Sequence, residues 1–328
     1  MQSIPIKTYA AYSLDDAVRS CSSSGAIFSL LAELILDRQG VVYGVKMSAD
    51  CYGAEFTSVT DRAELGKLRG SKYLQAKVGD TYRKVRRDLQ VGKTVLFTGT
   101  GCQVNGLKGL LGQDYDNLIC VDVICHGVPS PALWRKYVAS KEQQQGEKLK
   151  RVNFRCKDLG WSNFGVKEVF QGIVIKEEYI PLKESSYMQM FLHNYSLRPS
   201  CYQCRAKKEK QSDVTIADFW GINDVAVEMN DELGVSLVLI RSKKGEKVIG
   251  DISKGLCLKE VSYEAGVKKN PSEYYSVAKP PQREAFFKDM TKISYLELSR
   301  KYLTTKKRPF KAVAKKKIKA GLELLFRE

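Results

Sequence analysis

Two histidines, His126 and His193, are all that the 328 residues contain. That scarcity excludes a metal centre built mainly from imidazoles. No apolar run approaches the roughly 20 residues that span a bilayer. The start, Met1 to Lys7, lacks the apolar core of a secretory signal. There is no internal repeat and no low-complexity tract. The expected compartment is the cytoplasm. What remains is ordinary for a globular protein: 43% hydrophobic and 28% charged residues, which excludes wholesale disorder. The net charge of +17 is uneven. Lys301–Glu328 holds ten Lys or Arg and two Asp or Glu, a net +8, so the other 300 residues carry only +9. A specific nucleic-acid partner is not expected of so mildly basic a body.

Against two histidines stand nine cysteines. An odd, large count in a cytosolic chain argues against a disulfide framework and for thiolate chemistry. The strongest local signal is Cys201-Tyr-Gln-Cys204, in a loop between Pro199 and Lys207-Lys208. Thiolates at this spacing can reach one metal ion or one cluster iron. A redox dithiol is the rival, but that reading wants the pair at a helix start after a strand.

The first half alternates short apolar strands with helices. Gly40–Val45, Lys93–Phe97 and Asn117–Cys125 read as buried strands. Helical spacing covers Gly25–Leu36, Asp80–Leu89 and Cys102–Leu111, and Pro131 suits the first turn of a fourth helix. Beyond Lys150 come strands at Arg151–Cys156, Val166–Phe170 and Ile173–Ile180, then a helix over Lys183–Asn194. Strands at Asp213–Ala217 and Val235–Arg241, an extended stretch over 268–283 and two helices follow. The expected class is α/β: a mostly parallel sheet core, an added β-rich segment and C-terminal helices.

Cys102 and Cys125 stand at the ends of two of these strands, beside Thr98-Gly-Thr-Gly101 and His126-Gly-Val-Pro129. Open α/β sheets gather ligands beyond the carboxyl ends of their strands. With Cys201 and Cys204 these two would complete a four-thiolate site, for zinc or for a 4Fe-4S cluster. Only one pair is local, which tips the balance away from a zinc ribbon. Cys21, Cys51, Cys120, Cys156 and Cys257 are expected to be buried core thiols. Ser22-Ser23-Ser24-Gly25 opens a helix and reads either as a plain N-cap or as an anion site for a dinucleotide's pyrophosphate. Gly66–Tyr73, with Arg69, Ser71, Lys72 and Tyr73, is a second candidate phosphate or ring contact.

Six ordered segments together resemble the beta-subunit family of coenzyme F-420 hydrogenases and dehydrogenases. They are Ser22–Gly25, Leu68–Tyr73, Thr98–Gln103, Ile124–Ser130, Cys201–Cys204 and Ser212–Gly221. The likeness runs from about Tyr9 to Tyr302, and is nearest to the bacterial branch associated with surface-polysaccharide pathways. It implies an iron–sulfur flavoprotein oxidoreductase that passes electrons between a ferredoxin-like donor and a substrate through FAD and a 4Fe-4S cluster. The implied cluster ligands are Cys102, Cys125, Cys201 and Cys204. Ser22, Ser23, Ser24, Gly25, Arg69, Ser71, Lys72 and Tyr73 would lie near the flavin, and His126 is the first candidate acid. Residues 1–100 would form the flavin side, 101–267 the cluster-binding part, and 268–328 an extended segment, helices and basic tail. Two positions depart from the family pattern: Gly101 replaces Pro and Ala26 replaces Gly. The ferredoxin-like N-terminal segment of many relatives is not in this sequence, so either a separate ferredoxin is the donor or the chain lacks the electron input of those relatives. The alternative is a zinc- or cluster-bearing partner subunit that has lost the flavin.

From Phe310 onward, apolar residues at helical spacing face away from Lys315, Lys316 and Lys319. This cationic amphipathic pattern suits either docking on the protein's own body or, the favoured reading, docking on an acidic partner such as ferredoxin or peripheral contact with an anionic membrane.

Overall fold

The structure is a computed structural model that describes residues 4–303 apart from Ile173. The amphipathic tail from Phe310 lies outside the described residues. The chain runs β1 (Lys7–Ser13), α1 (Asp16–Ser20), α2 (Ile27–Asp37), β2 (Val41–Met47), β3 (Ala54–Val59) and β4 (Ala76–Lys77). It continues with α3 (Thr81–Gln90), β5 (Val95–Thr100), α4 (Gly101–Leu111), β6 (Leu118–Val123) and α5 (Pro131–Gln145). Then come β7 (Lys148–Cys156), β8 (Gly165–Gln171), β9 (Ile175–Pro181), α6 (Ser186–Leu192) and β10 (Val214–Asp218). The last elements are α7 (Ile222–Val225), β11 (Ser236–Ile240), α8 (Lys243–Ile252), β12 (Leu256–Glu260), α9 (Tyr263–Val267), α10 (Arg283–Met290) and α11 (Tyr295–Leu303).

Nine strands form one sheet in the order β12-β1-β11-β10-β6-β5-β2-β3-β4. Its centre, β10-β6-β5-β2, is parallel, and antiparallel pairs flank it. The central strands are apolar on both faces because helices cover both. Val95 and Phe97 of β5 enter one core with Trp134 of α5, while Leu96 enters the other with Leu31 and Ile35 of α2. The flanking strands β1, β3 and β12 carry polar residues on a wetter face. That is why β3 reads in sequence as a polar stretch. Residues on both sides of position 100 contribute strands to this one sheet.

The second sheet, β7-β8-β9, is antiparallel. It docks on α5 and α6 through a cluster of rings: Trp134, Tyr137, Phe154 and Tyr187, with centroids 4.8–6.2 Å apart. Parallel β5, β6 and β10 end on the same edge of the large sheet. The antiparallel run of α2 against β2 brings its N-terminus to that edge too.

Candidate functional site

Cys102 lies in the first turn of α4, immediately beyond β5, and Cys125 lies two residues beyond β6. Gly101 is the first helical residue after the N-cap Thr100. Proline is also accepted at that position, so the departure from the family pattern leaves the turn intact. Cys201 and Cys204 sit on and beside a 3-10 turn, Pro199–Gln203. That turn is held to the loop after Cys125. Arg198 N donates to Val128 O at 3.0 Å, Pro129 pairs with Leu197, and Val128 N donates to Cys201 Sγ at 3.5 Å. Gly127 permits this approach, because a Cβ there would stand 2.8 Å from Leu197 Cδ1 and 3.4 Å from Cys201 Cβ.

The four cysteines therefore share one corner. Burial pushes the Cys125 thiol up to about 12, with Cys102, Cys201 and Cys204 adding to the shift and Lys207 opposing it. Burial also raises Cys201, with Cys102 and Cys204 contributing. Lys207 is buried and donates from Nζ to the carbonyls of Cys125, at 2.7 Å, and Ser272. Among the described residues, no three His, Cys, Asp or Glu are gathered closely enough to hold a single metal ion. A four-iron cluster is larger than one ion and asks its thiolates to stand farther apart. The remaining thiols only partly follow expectation. Cys51, Cys120 and Cys156 are buried, but Cys21 is exposed and Cys257 half-buried. Cys21 follows the last residue of the short helix α1, and Cys257 lies on the edge strand β12, where neither face is fully covered.

Cys125 and His126 also line a cavity of about 770 Å³. This volume falls within the usual range for cofactor and substrate sites. Ser22, Ser23 and Ser24 line it, as do Arg69, Ser71, Lys72 and Tyr73. Gly25 lies behind that wall, where its N–H donates to Ser236 Oγ at 3.0 Å and a Cβ would collide with Ala11 O. The serines do not cap α2. Its N-cap is Ala26, in the left-handed conformation at φ 68° and without a side-chain cap. The tight turn directs the hydroxyls elsewhere. Ser22 Oγ donates to Val18 O, Ser24 Oγ to Val235 O, and Ser23 Oγ accepts from Ser71 N at 2.9 Å. A left-handed position favours glycine, which accounts for the family's Gly where this chain has Ala26.

The second wall is similarly self-contained. Arg69 donates to Ser29 Oγ and Glu33 Oε1, each at 3.0 Å. Lys72 Nζ donates to the carbonyls of Lys67, Leu68 and Arg69 at 2.8–3.2 Å. Burial pulls Lys72 down to about 7, while those three acceptors favour the ammonium form. Tyr73 packs edge-on against Phe154 and tilted against Phe191.

His126 sits edge-on to Phe191, with Nε2 2.6 Å from Asn194 Oδ1. The Asn194 amide donates to Ala278 O at 3.4 Å, which orients its oxygen toward the ring. The imidazole thus carries its proton on Nε2, and burial lowers its pKa below 6.5. Three further residues of the cavity have no signal in local spacing. Arg155 comes from β7, and Asp218 and Trp220 come from the end of β10. The last two lie in the Ser212–Gly221 segment, whose motif assigns them no role.

Two family models match the chain. "Coenzyme F-420 hydrogenase/dehydrogenase, beta subunit N-term" covers residues 8–81, and the corresponding C-terminus model covers 92–265. No curated protein matches. Among solved structures, the chain is similar to a chain of the F-420-reducing NiFe hydrogenase complex from Methanosarcina barkeri. The TM-score is 0.54 at 15% identity, covering 83% of this chain and 91% of that one, a likeness of fold.

Proposed function

This chain belongs to the coenzyme F-420 hydrogenase/dehydrogenase beta-subunit family, and on that premise we propose that it is an iron–sulfur flavoprotein oxidoreductase. In this reading it moves electrons between a ferredoxin-like donor and an organic substrate. The carrying observation is the shared cavity: Cys125 and His126 line the same chamber as Ser22–Ser24 and the Arg69–Tyr73 loop. Electron transfer needs that proximity.

Cys102, Cys125, Cys201 and Cys204 would hold the 4Fe-4S cluster. Support for a cluster over a zinc ribbon comes from the ligand pattern: only Cys201 and Cys204 form a local pair, and the other two cysteines come singly from distant strand ends. The 770 Å³ chamber would hold FAD, with the uncapped N-terminus of α2 offering backbone N–H groups to its pyrophosphate. When bound, the flavin handles electron pairs and the cluster handles single electrons. The chain's own residues supply the setting. Phe191, Met188 and Leu182 keep one end of the chamber apolar. His126, kept neutral by burial and with its N–H engaged by Asn194, would exchange protons with a substrate only through its other ring nitrogen. Exposed Arg198, Arg205 and Lys208 flank the Cys201–Cys204 turn and suit an acidic donor. Among the described residues, no helix is long and apolar enough to cross a membrane.

Anaerobic purification followed by a visible spectrum and analysis of iron, zinc and flavin tests this reading. Iron and FAD together are the expected result. Zinc in place of iron overturns the cluster. Protein that keeps iron yet takes up no FAD in either redox state overturns the flavoprotein and leaves the partner-subunit alternative.

A further inference from the structure

Two arginines are almost fully enclosed, Arg19 at 1% and Arg155 at 2% exposure. Arg19 is completed by the protein. Nη1 and Nη2 donate to the two oxygens of Asp231 at 2.6 Å, and Nε and Nη2 reach Gly234 O at 3.3 and 3.0 Å. Arg155 is not. Its Nη2 donates to Asp218 Oδ1 at 2.6 Å and lies 3.4 Å from Ser23 O, while Nε and Nη1 are buried without a partner. Buried donors are normally satisfied, and a buried charge especially so. Packing holds Arg155 in this position: Phe164 lies under its guanidinium at 3.6 Å and Trp220 at 4.9 Å. Asp218 is itself fixed by Trp161 Nε1 at 2.8 Å. The residue lines the 770 Å³ chamber next to Ser23, on the side where the uncapped α2 begins.

We propose that Arg155 is an oxyanion receptor of this chamber, binding a phosphate or carboxylate together with the N-terminus of α2. The two observations are independent: one is an under-partnered buried cation, the other an uncapped helix of 11 residues. Both favour negative charge at one place. Trp220, 38% exposed and stacked on Trp161 with planes 7° apart, offers a flat apolar neighbour for whatever carries the anion. The oxyanion belongs either to the cofactor or to the substrate. The inference extends the reading of the chamber as the reaction site and rests on it.

The test titrates inorganic pyrophosphate and malonate into the full chain, flavin-free and FAD-loaded, by calorimetry. Wild-type protein is expected to bind one of them saturably, and R155Q to weaken that binding about tenfold or more at unchanged circular dichroism. Arg155→Lys keeps the charge and is expected to retain measurable affinity, which covers a failure of R155Q to fold. Binding only to flavin-free protein, with FAD affinity also falling in R155Q, assigns the site to the cofactor. Binding that persists in FAD-loaded protein assigns it to the substrate. No saturable binding of either anion, or equal binding by R155Q, overturns the proposal even where FAD binds normally. Arg155-dependent anion binding by protein that takes up no FAD upholds the proposal and removes the flavin.

Discussion

Two parts of the chamber are built on opposite plans. On the side of α2 and the Arg69–Tyr73 loop, the polar side chains answer one another. Ser23 meets Ser71, Arg69 meets Ser29 and Glu33, and Lys72 meets three carbonyls. Elsewhere in the chamber four thiols share a corner, and Arg155, beside Ser23, keeps two N–H sites without partners. The side chains of the first part are spent on holding the wall's shape, while the backbone N–H groups that open α2 stay without a side-chain cap. Concentrated thiols and an incomplete guanidinium are the arrangement that the proposed cluster and oxyanion would complete. The residue types most suggestive of phosphate binding in the sequence, Arg69 and Lys72, are the ones committed to the protein.

The sharpest way to break this contrast is at the cysteine corner. Cys201→Ala or Cys204→Ala is expected to lose nearly all bound iron and the associated visible absorption in anaerobic preparations. Cys257→Ala, on an edge strand far from that corner, should leave both unchanged. Equal iron in all three would remove the cysteine site.

The two enclosed arginines allow a finer test through urea unfolding. Arg19→Gln should cost about 2–3 kcal/mol, because it removes a bidentate pair and leaves Gly234 O without its donors. Arg155→Gln should cost about 1 kcal/mol, since it also relieves two unsatisfied buried donors. A reversed order would mean that Arg155 is a structural residue. On the self-contained wall, Ser23→Ala should cost about 1 kcal/mol through the lost bond to Ser71 N, with iron content unaffected.

The smallest expected effect is a pH dependence. Burial holds the folded pKa of His126 below the unfolded value of 6.5. The unfolded chain therefore binds more protons between the two values. The stability that the neutral ring contributes is complete above pH 6.5 and is lost as pH falls through that window. Relative to His126→Gln, the wild type should lose stability between pH 7.5 and 5. A parallel decline in both proteins would show that the ring titrates normally.

Much of the architecture was legible because it is local. Alternation of apolar runs with helical spacing located β2, β5 and β6 with α2, α3 and α4 to within a few residues. β1, β3 and β12 escaped notice because antiparallel strands at a sheet's flank mix polar with apolar residues. The expectation that Ser22–Ser24 cap α2 failed on one backbone angle: at φ 68°, Ala26 takes the cap position itself.

The sequence by itself determined the parallel centre of the sheet, the cysteines at its strand ends and the Cys201–Cys204 pair. Periodicity and spacing are properties of neighbouring residues. Only the tertiary structure decided which groups face one another across the chamber. Arg155 lies 132 positions from Ser23 and 63 from Asp218. No local pattern reports such a meeting, because it is set by how the second sheet meets the end of β10 and the Ser23 turn. The same packing decides which charged groups satisfy one another and which keep donors without a partner.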